Sequence, residues 1–176
     1  MKANLKGKFL ISNPKLEDPN FNGSVVLIVE HDEKGAMGFI LNRPIGSLEK
    51  SEVENFFVFE GGPVEKDLFW ILSSEKNFDF QKIKTGLYYG QGAFSSKLKS
   101  KFFSKKNLKF KYLLGCASWV KNQLETELDS DVWIVAEADS REVFSLDGVE
   151  MWVRTISKKD SNFKWTRSFI GNPDRN

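Results

Sequence analysis

The chain alternates short apolar runs with turns rich in Gly, Pro, Asn and Asp. Residues 24–30 contain five consecutive apolar side chains, Val25-Val26-Leu27-Ile28-Val29, which is typical of a buried strand. A polar loop at 31–35, ended by Gly35, leads into a second apolar run at 36–42, which Arg43-Pro44 terminates. Two apolar arms around a polar loop that ends in glycine predict a β-hairpin.

The rest of the pattern predicts short strands and helices without a regular alternation. We expect further strands at residues 8–12, 56–59, 67–73, 82–89, 109–114 and 131–136, and a weak element at 141–144. Helical spacing of apolar side chains predicts helices at 47–55, 95–104, 120–128 and 149–157. The lack of βαβ alternation argues against a doubly wound sheet, so we predict one α+β domain over residues 1–176 with a curved, mixed sheet. Residues 1–6 and 171–176 are expected to be loose ends.

Charge changes this picture in one segment only. The chain carries 26 basic and 24 acidic side chains, and this balance argues against a dedicated nucleic-acid-binding protein. Residues 97–111 are basic without an acidic side chain, and they are either a solvated helix face and loop or a surface that contacts nucleic acid or another anion. The lysines of this segment are Lys97, Lys99, Lys101, Lys105, Lys106, Lys109 and Lys111.

The single cysteine, Cys116, excludes a disulfide within the chain and fits a reducing compartment. Because residues 1–9 do not resemble a signal peptide and no apolar run could span a bilayer, we expect a cytoplasmic protein without membrane contact. Cys116 itself is either a thiol activated at a helix N-terminus or a small buried residue. The sequence contains no P-loop, dinucleotide fingerprint, EF-hand or paired-cysteine motif, so no cofactor or metal is predicted.

Three polar residues are candidates for catalysis. His31, the only histidine, precedes Asp32 and Glu33 and is either an acid–base group or a loop residue that shapes a turn. Ser118 follows a predicted strand, and we predict it as the N-cap of the 120–128 helix, at a corner that could bind an anion. A hydrolase triad is not supported, because the G-x-S-x-G pattern is absent and no histidine follows Ser118. An enzyme that uses His31, Ser118 or Glu127 is nevertheless one alternative.

A second set of residues indicates binding. Trp119, Gln123 and Glu127 are spaced by four, so they form one stripe of the predicted helix. This stripe is either a polar face with one anchoring ring or a recognition stripe that lines a groove. Asn42 and Arg43 precede Pro44 at a turn, where Arg43 could clamp a carboxylate or a phosphate.

Four stretches of the chain form an ordered set of motifs. They are Gly7-Lys8-Phe9-Leu10-Ile11-Ser12 with Asp18-Pro19-Asn20-Phe21; Glu30-His31-Asp32 with Gly35-Ala36-Met37-Gly38 and Leu41-Asn42-Arg43-Pro44; Gly61-Gly62-Pro63-Val64; and Leu114-Gly115-Cys116-Ala117-Ser118-Trp119 with Gln123-Leu124-Glu125-Thr126-Glu127-Leu128. Together they resemble the YqgE/AlgH family of bacterial proteins over roughly residues 7–153. That family often carries a Gly where Asn122 stands and an aromatic residue where Cys116 stands, which weakens a catalytic role for Cys116.

The resemblance implies a mixed, mostly antiparallel and bifurcated sheet that bends into a pseudo-barrel with helices outside, and it implies no established reaction. One branch of the family is named as a regulator of alginate synthesis, so the resemblance also implies a transcriptional regulator, although no helix-turn-helix or zinc finger is present. Our leading expectation is a non-catalytic binding or regulatory protein that holds a partner protein or a small anion in a groove. The residues expected at this groove are His31, Asn42, Arg43, Ser118, Trp119, Gln123 and Glu127.

Overall fold

A computed structural model describes residues 4–48, 56–76, 79–92, 108–145 and 148–159. The strands in these ranges are β1 (Lys8–Ser12), β2 (Val25–Asp32), β3 (Gly35–Ile40), β4 (Pro44–Leu48), β5 (Phe56–Glu60), β6 (Val64–Ser73), β7 (Gln81–Lys84), β8 (Leu87–Gln91), β9 (Phe110–Val120) and β10 (Trp133–Glu137). The helices are α1 (Gln123–Asp129), α2 (Ser140–Val143) and α3 (Val149–Lys159).

The strands form a mixed sheet in the order β10-β1-β2-β3-β9-β6-β8-β7, with a β4–β5 hairpin attached to β9 through β5. Within the described ranges, the β5–β9 pair is parallel and the other pairs are antiparallel. The sheet is not closed, but it bends so that its ends approach each other. Lys84 on β7 donates hydrogen bonds to the carbonyl oxygens of Gly7 and Ala138, which lie beside β1 and β10. The predicted α+β class and bent, mostly antiparallel sheet are confirmed.

The sheet divides at β9, which changes its partner halfway along. Residues 112–114 of β9 pair with β5, whereas residues 117–120 pair with β3. The two branches separate at a crossing where a Cβ on Gly61 would lie 2.2 Å from the Gly115 carbonyl oxygen. A Cβ on Gly115, whose φ is +74°, would lie 2.6 Å from the Gly62 carbonyl oxygen. The two glycine motifs therefore allow close approach of two backbones.

Apolar side chains alternate between the two faces of the sheet. Phe9, Val25 and Phe39 belong to one buried cluster, which also includes Met151, Trp152 and Ile156 of α3. Their chain neighbours Leu10, Val26 and Ile40 belong to a second cluster, on the face that packs against Leu124 of α1. Helices α1 and α3 thus pack against opposite faces of the curved sheet, so they do not both lie outside it as the resemblance implies.

Several predicted elements differ from the structure. Ser47 lies in strand β4 and not at a helix N-terminus, and the rest of the predicted 47–55 helix falls outside the described residues, as does the 95–104 helix. The strand predicted at 82–89 is two strands, β7 and β8, because Gly86 has a φ of +70° and makes a turn. The weak element at 141–144 is the short helix α2. The hairpin of β2 and β3 is confirmed, but β2 continues to Asp32 and β3 begins at Gly35, so the turn between them is shorter than the predicted 31–35 loop.

Candidate functional site

His31 lies on β2, paired with Ala36 across the hairpin, so the prediction of a loop position is wrong. Its Nδ1 accepts a hydrogen bond from the Leu5 N–H at 3.0 Å, and its Nε2 lies 3.0 Å from Glu125 Oε1. Because Nδ1 is an acceptor, the ring proton sits on Nε2 and donates to the Glu125 carboxylate. The His31 side chain is 8% exposed, and it joins the N-terminal segment to α1.

Trp119, Gln123 and Glu127 meet, although they do not share one helix. Trp119 is on β9, and its indole N–H donates to Glu127 Oε2 at 2.8 Å. Gln123 Nε2 donates to Glu127 Oε1 at 2.9 Å, and Gln123 Oε1 accepts from the Val120 N–H at 3.1 Å. The predicted spacing is therefore right for Gln123 and Glu127, which lie one turn apart on α1.

Trp133 completes this group, although the sequence pattern does not predict it as a site residue. Its indole N–H donates to Glu127 Oε2 at 2.7 Å. Phe21 stacks on Trp119 with a ring-centroid distance of 6.2 Å and meets Trp133 edge-on at 5.4 Å. We call Trp119, Gln123, Glu127 and Trp133 the carboxylate clamp. It fixes α1 to β9 and β10 by saturating a part-buried carboxylate with N–H donors.

Ser118 is exposed on β9, opposite Met37, and is not the N-cap of the following helix. That position belongs to Asn122, which has a φ of 65°. The prediction fails because β9 stays extended through Val120, where it pairs with β3. Among the described residues, no hydrogen bond joins His31, Ser118 and Glu127 to one another.

Asn42 is buried where the chain leaves β3. Its Oδ1 accepts from the Val25 N–H at 2.8 Å, and its Nδ2 donates to the carbonyl oxygens of Gly23 and Gly148 at 2.8 and 3.3 Å. One amide therefore connects the turn before β2, the end of the β2–β3 hairpin and the start of α3. These bonds use both ends of the side chain, which identifies Asn42 as a structural link.

Arg43 lies beside Asn42 at the edge of a cleft of about 390 Å³. Its Nη2 donates to the Asn22 carbonyl oxygen at 3.0 Å, and its Nη1 lies 3.9 Å from Glu60 Oε2. The lining of the cleft includes Lys15, Leu16, Glu17, Arg43, Val149 and Trp152. The cleft therefore combines charged groups from two loops with apolar groups from α3. A second cavity of about 300 Å³ shares Lys15 and Leu16 with it.

Lys111, the last lysine of the basic segment, is buried and does not face solvent. Its Nζ donates to the carbonyl oxygens of Leu41 and Ser145 at 2.8 and 2.6 Å, and lies 4.1 Å from the centre of the Phe59 ring. Lys111 is therefore not available to a nucleic acid. Residues 97–107 of the segment fall outside the described residues, and Lys109 is exposed.

Cys116 is buried, which confirms the interpretation as a small interior residue. Burial raises the pKa of its thiol to about 11, and Glu65, whose Oε2 lies 3.9 Å from the sulfur, adds to the effect. A thiol with a raised pKa is a poor nucleophile at neutral pH. This residue is therefore no candidate for an activated catalytic cysteine.

Two further features concern metals and membranes. In the part of the chain that the structure describes, no three His, Cys, Asp or Glu side chains are grouped so that they could hold a metal ion. Over the same residues, no helix has both the length and the apolar character needed to cross a membrane.

Comparisons with known proteins identify the family of this chain. A family model described as AlgH-like matches residues 9–164, and this chain belongs to that family. A UPF0301 protein of Cytophaga hutchinsonii is 34% identical, with 97% of this chain and 98% of the relative covered. A UPF0301 protein of Yersinia pseudotuberculosis is 33% identical, with 90% of this chain and 94% of the relative covered.

Solved structures give the same result for the fold. The solution structure of the AlgH protein from Pseudomonas aeruginosa is similar to this chain with a TM-score of 0.72 and 25% identity, over 100% of this chain and 98% of that one. A crystal structure of a protein from Corynebacterium diphtheriae is similar in fold, with a TM-score of 0.67 and 20% identity, over 89% of this chain and 88% of that one.

Proposed function

We propose that this member of the AlgH-like family is a non-catalytic binding protein, whose partner segment or small anionic ligand contacts the cleft beside Arg43. The proposal rests on a difference in hydrogen bonding between Arg43 and most of the other candidate residues. Arg43 has five N–H donors, and among the described residues it donates one hydrogen bond, to Asn22. The polar groups of the other candidates, Ser118 apart, bond within the chain; these are His31, Asn42, Trp119, Gln123 and Glu127.

The use of His31 and Glu127 supports a binding role over catalysis. A general base needs a free lone pair within hydrogen-bond reach of the proton that it removes. Both ring nitrogens of His31 already have partners, and both carboxylate oxygens of Glu127 accept from N–H groups. Ser118 is exposed, and it makes no hydrogen bond with His31 or Glu127.

A regulatory role, which the relation to AlgH proteins suggests, would be exercised through this binding surface. The burial of Lys111 argues against the alternative of direct nucleic-acid contact by the whole basic segment. We therefore expect regulation, where it occurs, to follow from occupancy of the Arg43 cleft.

The proposal is tested by comparing wild type with Arg43→Ala and with Arg141→Ala. The second variant is a matched control, because Arg141 is 84% exposed and pairs with Asp139 away from the cleft lining. Each tagged protein is purified from cells of the source bacterium, and co-purifying proteins and small molecules are quantified by mass spectrometry. We expect species shared by wild type and Arg141→Ala to fall about tenfold or more in Arg43→Ala, as loss of a charge-assisted hydrogen bond implies. Identical recovery in all three would contradict the proposal.

A further inference from the structure

We infer that the group held at Arg43 is a carboxylate that carries an apolar substituent. This inference rests on the proposed function and narrows its ligand class. It follows from three properties of the cleft: its net charge, the shape of its cation and the nature of its walls.

The charged side chains that line the cleft have a small net positive charge. Lys15 and Arg43 contribute two positive charges and Glu17 contributes one negative charge, which leaves +1 among these three residues. Val149, the first residue of the 11-residue helix α3, also lines the cleft, so the positive end of a helix dipole lies at its edge. Two acidic side chains reduce the positive electrostatic potential at the cleft: Glu60 lies near Arg43, and Glu150 follows Val149. A phosphate near two negative charges is therefore less well matched than a carboxylate.

The shape of the cation favours a carboxylate as well. The guanidinium of Arg43 is planar and presents paired N–H donors, which fit the two oxygens of a carboxylate. Its Nη2 donates to the Asn22 carbonyl oxygen at 3.0 Å, and this hydrogen bond holds one end of the guanidinium in place. The 3.9 Å distance from Nη1 to Glu60 Oε2 exceeds hydrogen-bond length, so an incoming carboxylate does not have to displace a direct bond there.

The walls of the cleft provide contacts for an apolar substituent. Val149 is 54% exposed, although it is a large hydrophobic residue, and Leu16 and Trp152 lie in the same lining. The indole N–H of Trp152 already donates to the Ser12 carbonyl oxygen at 3.0 Å, so the ring offers only its carbon atoms to a ligand. Shielding Val149 from water would favour binding. At about 390 Å³, the cleft is near the lower end of small-molecule sites and fits one small acid or one terminal residue of a peptide.

The test uses the full chain and four probes: N-acetyl-leucine, its amide N-acetyl-leucinamide, hexanoate and inorganic phosphate. Binding is followed through amide and indole resonances in two-dimensional NMR spectra. We expect N-acetyl-leucine and hexanoate to shift resonances of Leu16, Arg43 and the Trp152 indole. Binding of the amide should be at least about tenfold weaker, because it lacks the charge that Arg43 recognises.

Variants make the outcome specific. Arg43→Gln should weaken N-acetyl-leucine binding about tenfold or more, Arg43→Lys should weaken it less, and Arg141→Gln should leave it unchanged. The source of the carboxylate is identified with a peptide that ends in leucine and has either a free or an amidated C-terminus. Stronger binding of the free peptide than of hexanoate assigns a polypeptide C-terminus. Stronger binding of hexanoate assigns a free acid.

Two results would overturn the inference. One is phosphate binding at Arg43 without N-acetyl-leucine binding, and the other is N-acetyl-leucine binding that is indifferent to Arg43→Gln. If no carboxylate binds while Arg43→Ala still loses its co-purifying species, the ligand class is wrong and the proposed function stands. If Arg43→Ala also retains those species, the proposed function fails too.

Discussion

Trp119 and Trp133 donate their indole N–H groups to the same oxygen, Glu127 Oε2, at 2.8 and 2.7 Å. The two rings meet nearly edge to face, with centroids 6.0 Å apart, so one carboxylate fixes the relative position of β9 and β10. The residues that the sequence predicts as a recognition stripe, Trp119, Gln123 and Glu127, thus hydrogen-bond to one another. Arg43 differs from these residues, because it donates only one hydrogen bond among the described residues, and for this reason we propose it as the binding residue.

The carboxylate clamp predicts a stability effect for Glu127→Gln. The amide keeps an acceptor oxygen but turns an N–H group toward donors that the carboxylate satisfies, so the free energy of unfolding should fall by about 1–3 kcal/mol. Glu33→Gln is the control, because Glu33 is exposed in the β2–β3 turn, and it should change stability by less than about 0.5 kcal/mol. Urea unfolding followed by tryptophan fluorescence gives both values. Equal stability of the two variants would show that the clamp contributes nothing.

The crossing of the two sheet branches predicts different costs for two glycine substitutions. Gly115 and Gly86 have nearly the same φ, +74° and +70°, but a Cβ meets the Gly62 carbonyl oxygen at 2.6 Å in the first case and no atom within 4 Å in the second. Gly86→Ala should therefore cost only the backbone strain, about 1–2 kcal/mol. Gly115→Ala adds a clash between backbones and should cost several kcal/mol or prevent folding. Similar melting temperatures for the two variants would refute the close approach.

His31 predicts a local change in hydrogen exchange. The Leu5 amide donates to His31 Nδ1, whereas the nearby Gly7 amide donates to the Ile28 carbonyl oxygen at 2.8 Å. In His31→Ala, exchange at Leu5 should accelerate about fivefold to tenfold, as loss of one hydrogen bond implies, and exchange at Gly7 should stay nearly constant. The Gly7 amide is therefore an internal control. Equal acceleration at both amides would indicate general loosening and would contradict a specific contact.

Cys116 predicts a change in stability at alkaline pH. Burial raises the pKa of the folded thiol to about 11, above roughly 8.5 for an unfolded cysteine. The folded state therefore holds its proton to higher pH, so this contribution to stability is complete below about pH 8.5 and is lost as the pH rises to 11. In Cys116→Ala, the decline of the unfolding free energy between these limits should be shallower, by up to about 1.4 kcal/mol per pH unit. Identical slopes in both proteins would contradict the raised pKa.

Local patterns were sufficient for part of the fold. The β2–β3 hairpin is built from neighbours in sequence, so its apolar arms and Gly35 predicted it. The full length of β9 is not predicted from the sequence. Gly115 and Ser118 resemble a corner between a strand and a helix, because the close approach of Gly115 to Gly62 is not visible in the local sequence. A left-handed glycine inside a strand has no local signature that separates it from a turn.

The candidate site was predictable to a similar extent. The spacing of Gln123 and Glu127 correctly placed both on one helix face, but Trp119 reaches Glu127 from a strand, which no helical period can reveal. The residue type and turn position of Arg43 predict a clamp for a carboxylate or a phosphate. The cleft around it depends on Lys15 and Val149, which are far apart in sequence and are brought together only by the folded sheet.

We propose that Glu127 stabilises the fold, whereas Arg43 binds a ligand or partner. Quantitative co-purification with Glu127→Gln and Arg43→Gln, each normalised to the amount of folded protein, separates these two roles. We predict that Glu127→Gln retains the species bound by wild type and that Arg43→Gln loses them by about tenfold or more, with its unfolding free energy within about 1 kcal/mol of wild type. Retention by Arg43→Gln together with loss by Glu127→Gln would contradict both assigned roles.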